Sequence, residues 1–216
     1  MRKISKPSEG IGRNRLLSIE EKNRFLIACQ SSSNPHLYPI VSIALLTGMR
    51  FGEIVNLRWE DIDYKNKTIT LEETKKGKKR ILPLTSAVEK ILSLSDQIDI
   101  ATKLVFKPNS PSTGLVFKFS SPTNRSGLVD IRNAFVKALK LAEISNFRFH
   151  DLRHAAASYL AISGASQGEL MAILGYNTPT MTRRYTYNSQ KHVATVLEKM
   201  HNNLLMEDVD GKPADK

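Results

Sequence analysis

The chain has 216 residues, 41% hydrophobic and 25% charged, which excludes a disordered chain and allows a core that needs no covalent staple. Its one cysteine, Cys29, excludes a disulfide framework and a cysteine-based zinc site. Thirty-two Lys and Arg against 21 Asp and Glu give a net charge of +11, a surplus that draws polyanions, nucleic acid ahead of an anionic membrane surface. No apolar run approaches the roughly 18 residues of a membrane span. No apolar stretch follows the basic N-terminus as a signal peptide requires. The expectation is a soluble, cytoplasmic protein.

Residues 1–15 read as a basic arm or linker, with Pro7, Ser8, Gly10 and Gly12 breaking any period. Ser18 and Glu21 have the spacing of a capping box and predict a helix start. After Pro35 the mostly apolar run Tyr38 to Leu46 predicts a buried helix, stopped by Thr47-Gly48. Another helix is expected from Arg50 to Leu57. The period then changes: residues 68–73 and 80–84 flank a basic turn with Gly77 and predict a β-hairpin. Ser86 with Glu89 predicts the cap of the next helix, to about Ile98. A long loop over 107–127 contains a short strand candidate, Leu115 to Phe119. Helices are expected near 127–143, 150–163, 166–174 and 189–206. The fold class is therefore mainly α with a small antiparallel sheet. One domain, residues 16–206, lies between the basic arm and an acidic tail, 207–216.

His150-Asp151-Leu152-Arg153-His154 is the segment richest in chemistry. Two histidines at i and i+4 share a helix face and allow a zinc reading with Asp151 as base. Against it, Asp is shorter than the usual Glu, Arg153 repels a cation, and His36, His192 and His201 stand in no ligand pattern. Alternatively, His150 and Arg153 together hold a phosphate, for which the planar guanidinium fork is suited. A phosphoryl-transfer site also needs a second arginine, a nucleophile and a proton donor. Arg50, with Glu53 one turn on, Tyr185 and Lys75 in the hairpin turn are the candidates. Each also has a plainer reading: a helical ion pair, a packing tyrosine, a solvated turn lysine.

Five stretches occur in one order. They are Leu45-Leu46-Thr47-Gly48-Met49-Arg50-Phe51-Gly52-Glu53, Thr74-Lys75 through Arg80 to Pro83-Leu84, His150 to His154, Leu174-Gly175-Tyr176, and Thr182-Arg183-Arg184-Tyr185. In these the chain resembles the catalytic domain of the tyrosine recombinases, the phage-integrase family. The resemblance implies a DNA strand-transferase that cuts and rejoins strands through a 3′-phosphotyrosine, with no cofactor, metal or ATP. It implies that Arg50 and Arg153 grip the scissile phosphate and that Tyr185 is the nucleophile, with Tyr187 its rival. It further implies that His150 handles a proton and Lys75 protonates the leaving oxygen, Lys76 being the neighbouring alternative. His154 and Glu53 match supporting positions. Where the family usually carries His or Trp, this chain has Tyr176, whose hydroxyl can also donate a hydrogen bond. That departure leaves open a non-catalytic DNA-binding relative. Lys76, Lys78, Lys79 and Arg80 are the expected DNA contacts. The expected partner is double-stranded DNA, bound as a homo-tetramer by a protein that is a monomer when free. The acidic tail is expected to contact a neighbouring subunit. Full-length family members also carry an N-terminal helical domain that clamps the other face of DNA; here a short arm precedes the first matching stretch.

Overall fold

The computed structural model describes residues 16–72, 79–100 (side chains to 95), 114–118, 129–183, 185, 197, 198 and 200. Lys75, Lys76, Lys78, Tyr187, the basic arm and the acidic tail lie outside the described residues. Of the helix expected over 189–206, only Leu197, Glu198 and Met200 are described, and they are helical.

Helix α1 (Ile19–Gln30) starts where the capping box predicts: the Ser18 hydroxyl accepts from Glu21 N–H, and the Glu21 carboxylate accepts from Ser18 N–H. Helix α2 (Leu37–Thr47) is apolar nearly all round and lies in the core. Such a helix is stable only when other elements cover every face. Here α1, α4 (Ser86–Ile100), α6 (Phe149–Ile162) and the short α3 (Phe51–Val55) pack against it. α5 (Arg132–Leu141) packs on α1, with Phe25 edge-on to Phe135 at 5.4 Å between ring centroids. α7 (Gln167–Leu174) and a single turn, α8 (Pro179–Thr182), follow α6. Pro179 opens that turn, where its missing N–H removes no helical bond.

The hairpin is present and gains a strand that the sequence did not signal. β1 (Ile62–Asp63), β2 (Thr68–Glu72) and β3 (Lys79–Pro83) form an antiparallel sheet in that order, with Ile69 opposite Leu82 and Glu72 opposite Lys79. Alternation puts Ile69, Leu71 and Leu82 inward, while Ile81 stays exposed.

Three local expectations need correction. The cap of α4 is Thr85, not Ser86: Val88 N–H points to the Thr85 hydroxyl and Glu89 N–H donates to the Thr85 carbonyl. Glu89 is instead paired with Lys67. Of the candidate strand at 115–119, the described residues make isolated bridges and no strand: Leu115 bridges Arg58, with Val116 N–H on the Leu57 carbonyl at 2.8 Å. α5 starts at Arg132 rather than near 127, because the Asp130 carboxylate accepts Arg132 N–H at 2.9 Å.

Cys29 is buried and its thiol is pushed up to about 12 by burial. It is therefore a core side chain with no reactive thiolate. Among the described residues, no helix is long and apolar enough to cross a membrane.

Candidate active site

Two helix ends prepare the site. α2 and α7 both stop at a glycine in the left-handed region, Gly48 at φ 66° and Gly175 at φ 63°. A helix end leaves carbonyls without intrahelical partners and carries partial negative charge. Arginine satisfies both conditions. Arg153, within α6, donates from Nη1 to the Gly48 carbonyl at 2.7 Å and from Nη2 to the Leu174 carbonyl. It is only 2% exposed. Burial pushes its guanidinium below the ordinary value, opposed by Tyr176, but arginine stays charged at neutral pH. One buried cation thus ties the ends of two helices together.

The backbone at Gly48 must remain as it is for that tie to hold. A Cβ there would strike the Leu174 side chain, and the positive φ disfavours any L residue. Gly48→Ala is expected to cost about 2 kcal/mol or more, from backbone strain plus overpacking. Denaturant unfolding checks this; a midpoint equal to wild type would contradict it.

Arg50 is the N-cap of α3. Its backbone N–H donates to Glu53 Oε2 at 2.7 Å and its Nη1 to Glu53 Oε1 at 2.8 Å. Its Nη2 reaches the Gly175 carbonyl at 3.4 Å. The two arginines therefore anchor on consecutive carbonyls, Leu174 and Gly175, although 103 positions separate them in the chain. Arg80 of β3 completes the group with a two-pronged pair to Glu53, both contacts 2.8 Å. Burial pushes Glu53 up, but the Arg80 and Arg50 bonds outweigh it and hold the carboxyl below its ordinary value. It is ionised at neutral pH.

Tyr176 follows Gly175, and the Arg153 guanidinium lies over its ring, 4.7 Å from the centroid. His150 and His154 stand edge to face at 4.9 Å on α6. Burial, then Arg153 and Arg50, hold His150 below the ordinary histidine value, against an opposing effect of Asp151. His150 is thus neutral near pH 7 and able to accept a proton. Tyr185 is 6% exposed and packs with Ala157, Leu170 and Leu174. Its hydroxyl is hydrogen-bonded to His154 Nδ1.

The structure brings Arg50, His150, Arg153, Tyr176 and Tyr185 around the α7 end, with Lys75 outside the described residues. Two side chains are placed otherwise than the resemblance implies. The histidine on the Tyr185 hydroxyl is His154, expected only in support, while His150 packs against His154. Arg80, expected among the DNA contacts, has a side chain only 11% exposed and turned onto Glu53. Lys79 does stand outward, paired with Glu72 at 2.8 Å. A signal for Arg80 existed: it alternates with Leu82 and Leu84, both buried, and so shares their inward face. The zinc alternative loses its base, because the Asp151 carboxylate accepts Arg148 N–H at 2.7 Å and caps α6. Among the described residues, no three His, Cys, Asp or Glu side chains form a group able to hold a metal ion.

A mainly helical domain with a small antiparallel sheet and paired arginines beside a tyrosine defines a class, and comparison identifies it. Residues 15–192 match the phage integrase family, and the chain belongs to that family. It is 33% identical over 185 residues to the shufflon-specific DNA recombinase of Escherichia coli, covering 85% of this chain and 43% of that protein. It is 33% identical over 192 residues to the integrase of Salmonella phage P22, covering 88% and 48%. The chain spans about half the length of these relatives. Among solved structures it is similar to the catalytic domain of bacteriophage HP1 integrase, with 28% identity, a TM-score of 0.62, and 85% and 93% of the two chains covered. The fold is that of tyrosine-recombinase catalytic domains.

Proposed function

We propose that the chain is the catalytic part, residues 16–206, of a site-specific DNA recombinase of the integrase type. The observation that carries this reading is the convergence of Arg50 and Arg153 on the Leu174–Gly175 turn, with His150 and Tyr185 on the adjoining elements. In the proposed reaction the Tyr185 oxygen attacks a backbone phosphorus. A P–O bond to tyrosine forms as the P–O5′ bond breaks, leaving a 3′-phosphotyrosine and a free 5′ hydroxyl. Arg50 and Arg153 neutralise charge on the non-bridging oxygens. His150 accepts the tyrosine proton and Lys75 protonates the departing oxygen. One ester replaces another, so the bond energy is kept and strands can rejoin. Tyr176 lies against Arg153 and donates its hydroxyl to the same phosphate. Exchange between two duplexes is the work of a homo-tetramer assembled on DNA from free monomers, in the bacterial cytoplasm.

The test uses nicked duplexes of random sequence, incubated with the protein and then denatured. Recovery of a denaturation-resistant adduct is expected, with the modified residue mapped by mass spectrometry to Tyr185. No adduct from any duplex would instead support a non-catalytic DNA-binding relative.

Binding itself is expected to be salt-sensitive. Each neutralised phosphate contributes a slope of about 0.9 in log affinity against log salt. Replacing Lys78 and Lys79 with Ala is expected to flatten that slope by roughly one to two phosphates' worth. A slope unchanged in a fluorescence titration would move the binding face away from the hairpin.

A further inference from the structure

Arg80 was expected on the DNA-binding face, yet its head is turned inward. Its guanidinium takes both oxygens of Glu53, each at 2.8 Å. The same oxygens also accept Arg50 Nη1 and the Arg50 backbone N–H. Four donors thus saturate one carboxylate. Arg80 also rests against Gly175: a Cβ there would lie 2.6 Å from Arg80 Nη1 and 3.1 Å from its Cδ and Cζ. Arg50 reaches the carbonyl of that same glycine. β3, α3 and the end of α7 therefore meet at one cluster of two cations and one anion.

The charge arithmetic gives the cluster a purpose. Glu53 alone beside Arg50 forms a neutral pair, and a neutral pair attracts a phosphate poorly. Adding Arg80 leaves the cluster with a net charge of +1. The exposure is unequal: the Arg50 side chain is 39% exposed, against 11% for Arg80 and 14% for Glu53. The surplus positive charge is therefore presented by Arg50, the member that solvent or an anion can reach.

We infer that Arg80 is a positioning residue: it engages Glu53 from the buried side, fixes the orientation of Arg50, and leaves the charge of Arg50 available to an anionic ligand. This rests on the recombinase reading for the identity of the anion, a DNA phosphate. The arrangement also shows what arginine contributes at 80: a planar fork that meets both Glu53 oxygens. Lysine supplies the charge but not the planar fork that meets both carboxylate oxygens. It explains the glycine at 175 too, since any side chain would displace the Arg80 head.

The test reads the charge that Arg50 projects, using His150 as the reporter. The groups that act on His150 are Arg153 and Arg50, which disfavour its protonation, and Asp151, which favours it; the His154 ring packs against it. Titration of the His150 imidazole by NMR is compared in wild type, Arg80→Met, Arg80→Lys and the double variant Arg80→Met with Glu53→Gln. Arg80→Met is expected to shift the His150 midpoint upward, because Glu53 then cancels Arg50. The double variant is expected to return it toward wild type, because both added charges are gone. Arg80→Lys is expected to stay near wild type and serves in place of Arg80→Met if that variant does not fold: paired with Arg80→Gln, it gives the same comparison of charge kept with charge lost. A structural staple alone predicts the opposite pattern, with the double variant further from wild type than the single one.

Single-turnover adduct formation on a duplex recovered from the random pool provides the second readout. Arg80→Met is expected to slow it roughly tenfold to a hundredfold, less than the loss of a direct oxyanion contact, and Glu53→Gln in that background to restore part of the rate. A His150 midpoint that does not move in the folded charge-loss variant, or no return in the double variant, overturns the proposal even if adduct forms. A wild type that forms no adduct overturns the recombinase reading while the titration still decides the role of Arg80.

Discussion

Tyr185→Phe is expected to abolish adduct formation while leaving DNA affinity within a few fold of wild type. The change removes the oxygen proposed to attack and keeps the ring, which packs with Ala157, Leu170 and Leu174. It is not silent for stability. The hydroxyl is hydrogen-bonded to His154 Nδ1 in a buried position, so its loss is expected to cost about 1 kcal/mol. In the proposed reaction that hydroxyl exchanges His154 for a phosphorus. Tyr187→Phe is expected to retain adduct formation. Tyr176→Phe is expected to fall between them, because phenylalanine keeps a ring under the Arg153 guanidinium but loses the hydroxyl donor. Loss of one such donor slows comparable reactions roughly a hundredfold to a thousandfold. Adduct trapping with each variant, followed by peptide mapping, checks all three; an adduct on Tyr187 would reassign the nucleophile.

Arg153→Ala is expected to combine a loss of activity with a large loss of stability. It strands the Gly48 and Leu174 carbonyls, each worth about 1–3 kcal/mol when left buried without a donor, and opens a void among buried side chains. Relief of the desolvated charge offsets part of this. A net loss of about 3 kcal/mol is a large share of the roughly 5–15 kcal/mol that holds a domain together. Arg153→Lys separates the two roles. Lysine keeps the charge but cannot span two carbonyls from one planar head, so about half the stability loss is expected with an activity loss of at least roughly a hundredfold. Denaturant unfolding and single-turnover adduct formation on the same preparations measure both. Wild-type unfolding in Arg153→Ala would show that the helix ends do not depend on this cation.

Much of the fold is legible from local signals because its elements obey local rules. The Ser18–Glu21 capping box sits where its spacing places it, and Thr47-Gly48 ends α2 in the left-handed conformation that glycine favours. The hairpin follows from two alternating runs. Where the reading failed, the cause was a partner distant in sequence at Leu115 and a choice between neighbouring caps at α4. The stretch around Leu115 has the composition of a strand, but among the described residues it meets Arg58 in an isolated bridge and not along a ladder. At α4 two adjacent residues, Thr85 and Ser86, both had cap chemistry, and their backbone geometry chose the first.

The candidate site divides in the same way. Sequence alone determined which residue types are present, their order, and hence the family: two arginines, a histidine pair one helical turn apart, and a tyrosine after a helix break. Those are properties of residues and spacings. It could not determine which histidine meets Tyr185, because His150 and His154 share one face of α6 and the choice depends on where α8 delivers the tyrosine. Nor could it set Arg80 apart from its basic neighbours. In the chain it is the last of a run of cations, and a charged run reads as a solvated surface. Only the approach of β3 to α3, which places the Glu53 carboxylate within 2.8 Å of the Arg80 fork, supplies the partner that a buried cation needs. Local chemistry decided what the site contains; the meeting of segments far apart in sequence decided which charge faces outward.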